Sequence, residues 1–225
     1  MICNTIGSSN RELDYLNMLD RNMVDGIITG SHTLHVEEYL KRKRTIVSLD
    51  QDFGPEIPMV GSDHIYGGRA AAEIILKNKC RKHPVYSVAL AYGFPCGIPV
   101  CLMIKLVPFH HQIYDFHSVF GKCDGIDGVF AADQPALCYM HLAMEAGKRV
   151  PEDLKVVAYD GMDITRLCYP QVTSIDQNIR FLADTCASTV IKLIDGSERV
   201  PHKQIMSVEV HQGKTTNPVV LDGNF

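Results

Sequence analysis

The sequence lacks the features of membrane-inserted and exported proteins. It contains no run of the roughly 18 apolar residues that a membrane-spanning helix needs. Its beginning, MICNTIGSSN, has no basic region followed by the apolar region that marks a signal peptide. We therefore expect a cytoplasmic protein that has no membrane partner.

The cysteines also lack the spacing of a disulfide framework. The 8 cysteines are scattered and form no CxxC pair, so we expect reduced and mostly buried thiols. His110, His111 and His117, together with Cys96 and Cys101, supply side chains that zinc prefers, but their spacing matches no usual tetrahedral site. We interpret these histidines as surface residues and predict no bound metal.

Positive charge is not in excess. With 22 Lys+Arg against 26 Asp+Glu the net charge is -4, which gives no general attraction to the phosphates of nucleic acids. The basic run from Lys41 to Arg44 has no aromatic residues among it, and we interpret it as the solvated end of a short helix. The Gly67-Gly68 pair belongs to neither GxGxxG nor GK[ST], and no GxSxG occurs, so we predict no cofactor and no catalytic residues.

What the sequence does contain is the pattern of an α/β protein. Hydrophobic residues make up 46% and charged residues 21% of the 225 positions, which is typical of globular proteins. Short apolar runs alternate with amphipathic segments, as in parallel sheets flanked by helices. The predicted strands are Gly26–Thr29, Thr45–Leu49, Met59–Ser62, Gly128–Ala131, Lys155–Ala158 and Gln204–Val210, and the segment from Lys82 to Phe120 shows a periodic pattern only at Val85–Leu90. The predicted helices are Asn10–Asn22, which Ser9 caps in a capping box with Glu12, and Val36–Lys43, Arg69–Asn78, Pro135–Ala146 and Asn178–Ile194.

Polar residues directly follow four of the apolar runs. They are Ser31 after GIITG, Asp50 after IVSL, Asp133 after GVFAA and Asp160 after VVAY. Ligands of open parallel sheets collect at the carboxyl ends of the strands, and a carboxylate there can accept hydrogen bonds from the hydroxyls of a polyol. The alternative is that each acid only caps a helix or anchors a turn. Asp50 and Asp160 could also form a general acid and base pair.

Several longer segments resemble a known family. They are VDGIITGS, IVSLD, VGSDHIYGGRAAAEIIL, DGVFAADQPAL, VPEDLKVVAYDG and PQVTSIDQNIRFLADTCASTVIKLIDG. In content and order they are similar to the effector-binding core of lactose-repressor-type (LacI/GalR) transcriptional regulators.

This resemblance implies a fold like that of periplasmic sugar-binding proteins. Such a fold has two doubly wound parallel-sheet lobes joined by crossing strands, with a ligand between them, and the family forms homodimers. On this template the first lobe comprises residues 1–61 and 177–206, and the second comprises residues 62–176 and 207–225.

The resemblance also implies which residues contact the effector. The family's sugar-contacting residues fall on Asp50, Asp160 and Gln177, with Ser31 and Asp133 as weaker candidates. Ala132 replaces the family's polar residue before the Asp-Gln pair. The family's Arg-x-x-Gly-Phe helix has no match between Lys82 and Phe120.

The start of the chain departs from the family pattern. On the template, residues 1–5 correspond to the second strand of the core, so the first strand and helix are missing, as is the helix-turn-helix that enters the major groove. We therefore expect no DNA binding by this chain alone, and a marginally stable or partner-dependent fold.

The leading hypothesis is thus the core of a LacI-type repressor that senses a small carbohydrate. One alternative is a sugar-binding protein for transport, which a signal peptide would favour. Another is a glycoside-processing enzyme that uses Asp50 and Asp160. A decayed reading frame without function is a further alternative.

Overall fold

Helices and strands alternate along the chain, as predicted for the α/β class. The computed structural model describes residues 1–5, 7–21, 24–30, 33–42, 44–81 and 126–222. The strands are β1 (Gly26–Thr29), β2 (Thr45–Leu49), β3 (Met59–Ser62), β4 (Gly128–Ala132), β5 (Lys155–Asp160), β6 (Thr173–Gln177), β7 (Lys203–Met206) and β8 (Val208–His211). The helices are α1 (Ser9–Arg21), α2 (Val36–Leu40), α3 (His64–Lys77), α4 (Asp133–Glu145), α5 (Asp163–Leu167) and α6 (Ile179–Asp195).

The chain divides into two units. Unit 1 comprises Met1–Ser62 and Asn178–Met206, and unit 2 comprises Asp63–Gln177 and Ser207–Phe225. The predicted boundaries differ at two positions, since Ser62 belongs to unit 1 and Gln177 to unit 2. Each is the last residue of a strand and pairs within the sheet of its own unit.

Unit 1 is a parallel sheet with helices on both faces. Its strand order is β1-β2-β3-β7, and every pairing is parallel. Successive residues of β2 point to opposite faces, so Ile46 and Val47 belong to different clusters of buried residues. Ile46 packs with Leu16 of α1 and Tyr39 of α2, and Val47 packs with Leu182 of α6. The sheet is therefore covered on both sides, which explains why its central strands β2 and β3 are buried along almost their whole length.

Unit 2 repeats this arrangement with one reversed strand. Its order is β4-β5-β6-β8, in which β8 runs antiparallel to β6. Val156 faces a cluster built from α4, and Val157 faces a cluster built from α3. The sheet of unit 2 is thus doubly wound in the same sense as that of unit 1.

Two predicted elements have different bounds in the structure, one because of a local helix cap and one because of strand pairing. α3 begins at His64, before the predicted Arg69, because the Asp63 carboxylate accepts a hydrogen bond of 2.9 Å from the backbone N–H of Tyr66 and caps the helix. The predicted strand Gln204–Val210 is two strands, β7 and β8, which pair in the sheets of different units. The strand-forming pattern of the sequence does not show at which residue the chain passes from one sheet to the other.

The predicted capping box at α1 is wrong. Ser8, not Ser9, precedes the helix, and its hydroxyl lies 3.5 Å from the backbone N–H of Arg11. Glu12 is 3% exposed, and its carboxylate accepts hydrogen bonds from the Thr33 backbone N–H, the Thr33 hydroxyl and the Tyr39 hydroxyl. A buried carboxylate needs such donors, so Glu12 turns toward the protein interior and not back to the helix end.

The start of the chain also differs from the template. Residues 1–5 form no strand, and Met1 and Ile2 are 80% and 99% exposed. Within the described ranges, β1 pairs only with β2, so residues 1–5 do not extend this sheet beyond β1. The periodic run Val85–Leu90 lies outside the described residues.

Candidate functional site

Asp160 and Gln177 meet at the carboxyl ends of neighbouring strands in unit 2. β5 and β6 pair in parallel register, with Asp160 opposite Asp176 and Gln177 one residue further on. The Gln177 Nε2 donates a hydrogen bond of 2.7 Å to Oδ1 of Asp160. Both side chains are half-buried. The structure therefore brings together two of the residues that the sequence singled out, at the sheet edge where ligands of this class of sheet bind.

Asp160 has an unusual backbone conformation. Its φ is 112°, a region that residues with a side chain rarely adopt. The next residue, Gly161, has a φ of 73°, and a Cβ on it would lie 2.1 Å from Oδ1 of Asp176. Only glycine fits there, and the chain turns sharply immediately after the Asp160 carboxylate. We call residues 160–162 the β5 turn.

Asp133 lies directly beneath the β5 turn. Its carboxylate is 2% exposed and accepts hydrogen bonds from the backbone N–H groups of Met162 (2.6 Å) and Gly161 (3.3 Å). Burial raises the pKa of Asp133 to about 6; the two N–H donors oppose this, while the charges of Asp160 and Asp176 add to it. The carboxylate predicted as a weaker sugar contact thus binds two backbone amides of this turn.

Arg166 and Asp176 complete the surroundings of the turn, and sequence reasoning missed both. Nη1 of Arg166 donates a hydrogen bond of 2.8 Å to the carbonyl oxygen of Gly161, and its Nη2 pairs with the Asp176 carboxylate. Asp176 also accepts a hydrogen bond from the Ser174 hydroxyl. The rule that polar residues at strand ends are informative applies to Asp176 as well. Arg166 lies in a short helix without a motif, so no sequence signal marks it.

Asp50 occupies the corresponding position in unit 1, at the end of β2. Its φ is 60°, its N–H donates to the Val60 carbonyl at 2.8 Å, and its Oδ1 accepts from the Ser62 N–H at 3.0 Å. The side chain therefore bends back against the end of β3 and is half-buried. Burial, with a smaller contribution from Asp50, raises the pKa of Cys186 to about 11, so this thiol stays neutral at physiological pH.

Other predicted residues lie elsewhere. Ser31 is outside the described residues, as are the histidines and cysteines considered as zinc ligands between positions 96 and 117. In the described ranges no group of His, Cys, Asp and Glu side chains could hold a metal ion. None of the helices there has both the length and the apolar composition needed to cross a bilayer.

The basic run after α2 is engaged within unit 1. Arg42 Nη1 contacts the Asp20 carboxylate at 2.5 Å and the Asn17 side-chain oxygen at 2.8 Å. Arg44 donates a hydrogen bond of 3.2 Å to the backbone carbonyl of Asp20. These contacts join the end of α1 to the segment before β2, which fits the interpretation of a helix end and not a nucleic-acid surface.

Comparison with known proteins shows to which family this chain is related. The family model of the periplasmic binding protein-like domain matches residues 120–216. A solved structure described as a periplasmic binding protein/LacI transcriptional regulator from Alkaliphilus metalliredigens, complexed with D-xylulofuranose, is 25% identical, with a TM-score of 0.78 over 97% of this chain and 87% of that one. The sucrose operon repressor of Streptococcus mutans is 31% identical over 229 residues, which cover 96% of this chain and 71% of that repressor. The chain belongs to the LacI family.

Within the LacI family the similarity extends to other repressors. The ribose operon repressor of Halalkalibacterium halodurans is 28% identical over 215 residues, covering 87% of this chain and 63% of the repressor. The predicted LacI-type relationship and periplasmic-binding-protein-like fold are confirmed, and the chain is the effector-binding core of a transcriptional regulator. The relatives are transcriptional repressors, so the transport alternative is not favoured.

Proposed function

We propose that this LacI-type core senses a small carbohydrate, and that Asp50, Asp160 and Gln177 hydrogen-bond its hydroxyls. The observation that carries this proposal is the Gln177–Asp160 pair at the carboxyl ends of β5 and β6. A hydrogen bond to a charged group contributes about 1.5 to 3 kcal/mol where water is excluded. Ser31 stays a weaker candidate contact.

The class of effector follows from the relatives. Two are repressors of sucrose and ribose operons, and a neighbouring structure holds D-xylulofuranose, a sugar with a five-membered ring. We therefore propose sucrose, or a ketose or pentose related to these sugars. Each has the several adjacent hydroxyls that carboxylate and amide side chains bind together.

The effector acts on transcription through a shift of populations. A bound sugar changes DNA affinity only as far as its own affinity differs between the DNA-binding and non-binding states of the regulator. Asp50 belongs to unit 1, and Asp160 and Gln177 belong to unit 2. We propose that the response is set by this difference in affinity and not by any reaction, so that no residue of the chain is catalytic.

The test is a thermal-shift screen of the purified chain against sucrose, D-fructose, D-ribose, D-xylulose and their phosphates. A sugar at about 100 times its Kd adds roughly 2.7 kcal/mol to the free energy of unfolding, so a specific effector raises Tm by several degrees. A flat response to the whole panel would contradict the proposal. Loss of any added glycoside in the same samples would instead favour an enzyme.

We also propose that residues 1–225 do not bind operator DNA on their own, and that DNA is reached only through a helix-turn-helix that they do not contain. The net charge is -4, and two of the four side chains in the basic run are engaged with α1. In a mobility-shift assay we expect no sequence-selective complex. Action on DNA also implies a cytoplasmic location.

A second copy of this chain is the protein partner that we propose. Leu167 and Tyr169, close together in sequence at the end of α5, are 81% and 85% exposed, and exposed apolar side chains that are close together are typical of interaction surfaces. Light scattering after size-exclusion chromatography tests this proposal. We expect a dimer that Leu167→Asp converts to a monomer, and a wild-type monomer at micromolar concentration would contradict it.

A further inference from the structure

The β5 turn is a backbone conformation that needs support from its surroundings. Asp160 at a φ of 112° and Gly161 at a φ of 73° follow each other directly. A residue with a side chain in such a region is strained, and the conformation persists only where neighbouring groups hold it. The orientation of the Asp160 carboxylate therefore depends on the conformation of this turn.

Two side chains stabilise the β5 turn, one by accepting hydrogen bonds from its N–H groups and the other by donating a hydrogen bond to one of its carbonyls. Asp133 accepts from the N–H groups of Gly161 and Met162, and Arg166 donates to the carbonyl of Gly161. Gln177 holds the Asp160 carboxylate itself. Every one of these contacts lies within unit 2.

Asp133 is the member of this network that is buried. It is 2% exposed at the start of α4, so its negative charge has little access to water. The charged groups around it are Asp160 on β5, Asp176 on β6 and Arg166 on α5, and Arg166 is already paired with Asp176. The two backbone N–H groups of the β5 turn are uncharged donors. They therefore supply much of the stabilisation of this buried carboxylate.

We propose that Asp133 is a positioning residue, which holds the β5 turn so that the Asp160 carboxylate is oriented to bind the effector. This inference rests on the proposed function, and it assigns Asp133 a role behind the binding residue and not in contact with the sugar. Its carboxylate acts through the backbone of Gly161 and Met162.

The variant that tests the proposal is Asp133→Asn. It keeps the shape of the side chain, but its Nδ2 cannot accept the N–H that one carboxylate oxygen accepts. We expect amide hydrogen exchange in a peptide covering residues 159–168 to accelerate about tenfold, the factor that corresponds to the loss of one charge-assisted hydrogen bond. Peptides from unit 1 should not change.

Sugar affinity is the second measurement. Isothermal titration with D-ribose and with sucrose should give a Kd for Asp133→Asn that is at least about tenfold weaker than that of the wild-type chain. Arg166→Gln, an exposed change that releases the Gly161 carbonyl, should weaken binding in the same direction. Glu145→Gln, at the opposite end of α4 and exposed, is the matched control and should leave the Kd unchanged.

A pH profile separates positioning from a purely structural role. The wild-type Kd should rise as the pH falls from 7.5 to 5.5, because burial raises the pKa of Asp133 to about 6 and a protonated carboxyl is a weaker hydrogen-bond acceptor for the N–H groups of the turn. The Asp133→Asn variant, which cannot be protonated there, should lose this part of the pH dependence. A general loss of folding would not alter the profile in this way.

The outcomes distinguish the two proposals. If Asp133→Asn binds sugar as the wild type does, or keeps the same exchange rate in residues 159–168, the positioning role is overturned while the sugar-sensing function stands. If the wild-type chain binds neither sugar nor any member of the screen, the proposed function fails and the role in effector binding fails with it. Faster exchange would then still identify Asp133 as the anchor of the turn.

Discussion

Gln177 and Asp160 are 17 residues apart in the chain, yet Nε2 of Gln177 lies 2.7 Å from Oδ1 of Asp160. The parallel register of β5 and β6 makes this possible, because it places their carboxyl ends side by side. An amide that donates to one carboxylate oxygen restricts rotation of the whole group. The pair therefore presents an oriented acceptor at the sheet edge, which is what recognition of a sugar hydroxyl needs.

Removing the charge of Asp160 should weaken sugar binding. Asp160→Asn keeps an oxygen that can accept from Gln177, but it replaces a charge-assisted acceptor by a neutral one. We expect the Kd to rise about 10- to 100-fold, equivalent to about 1.5 to 3 kcal/mol. Isothermal titration measures this change. Glu152→Gln, exposed in the loop before β5, is the control, and an equal effect of both variants would contradict a direct role for Asp160.

Adding a methyl group at Gly161 should destabilise unit 2. The Cβ of Gly161→Ala would lie 2.1 Å from Oδ1 and 2.7 Å from Cα of Asp176, in addition to an unfavourable positive φ. Overpacking and the backbone penalty together predict a loss of about 2 to 4 kcal/mol in the free energy of unfolding by urea. Gly147→Ala has a φ of 85° but no atom within 4 Å, so it should cost only about 1 kcal/mol. Similar losses for the two variants would show that the clash is relieved.

The buried carboxylate of Glu12 should stabilise unit 1 through its donors. Tyr39→Phe removes the hydroxyl that donates to Glu12 and leaves the ring packed against Phe53, so we expect a loss of about 1 to 3 kcal/mol. Urea denaturation monitored by circular dichroism measures it. Tyr66→Phe changes an exposed tyrosine of α3 and should change the stability by less than about 0.5 kcal/mol. An equal free energy of unfolding for the two variants would contradict a stabilising role for the hydrogen bond to Glu12.

Asp133 should give the stability a characteristic pH dependence. Its pKa is raised from 3.8 to about 6 on folding, so the folded chain binds its proton more tightly than the unfolded chain does. The stabilisation from this group is therefore complete below about pH 4 and is lost as the pH rises to about 6, at up to about 1.4 kcal/mol per pH unit. The free energy of unfolding of the wild type minus that of Asp133→Asn should fall over this interval. A difference that rises or stays level between pH 4 and 6 would contradict the raised pKa.

The elements were predictable where short-range signals agree. The runs Gly26–Thr29, Thr45–Leu49 and Met59–Ser62 are strands with the predicted bounds, because alternating helices and apolar runs admit few other folds. The helix that ends at Asp195 was predictable for the same reason, since Gly196 supplies the left-handed residue that terminates it. The break at Ser207 was not predictable, because the residues on its two sides have the same strand-forming character.

By itself, the sequence determined the α/β class, the family and the positions of Asp50, Asp160 and Gln177 at strand ends, because these follow from local periodicity and from the order of short motifs. Tertiary structure alone decided what each carboxylate binds. Glu12 receives hydroxyl and amide donors from distant segments, Asp133 binds the backbone of the β5 turn, and Asp160 receives Gln177. The physical reason is that a buried charge is stabilised by whichever donors the fold brings within 3 Å or so, and chain position does not specify them.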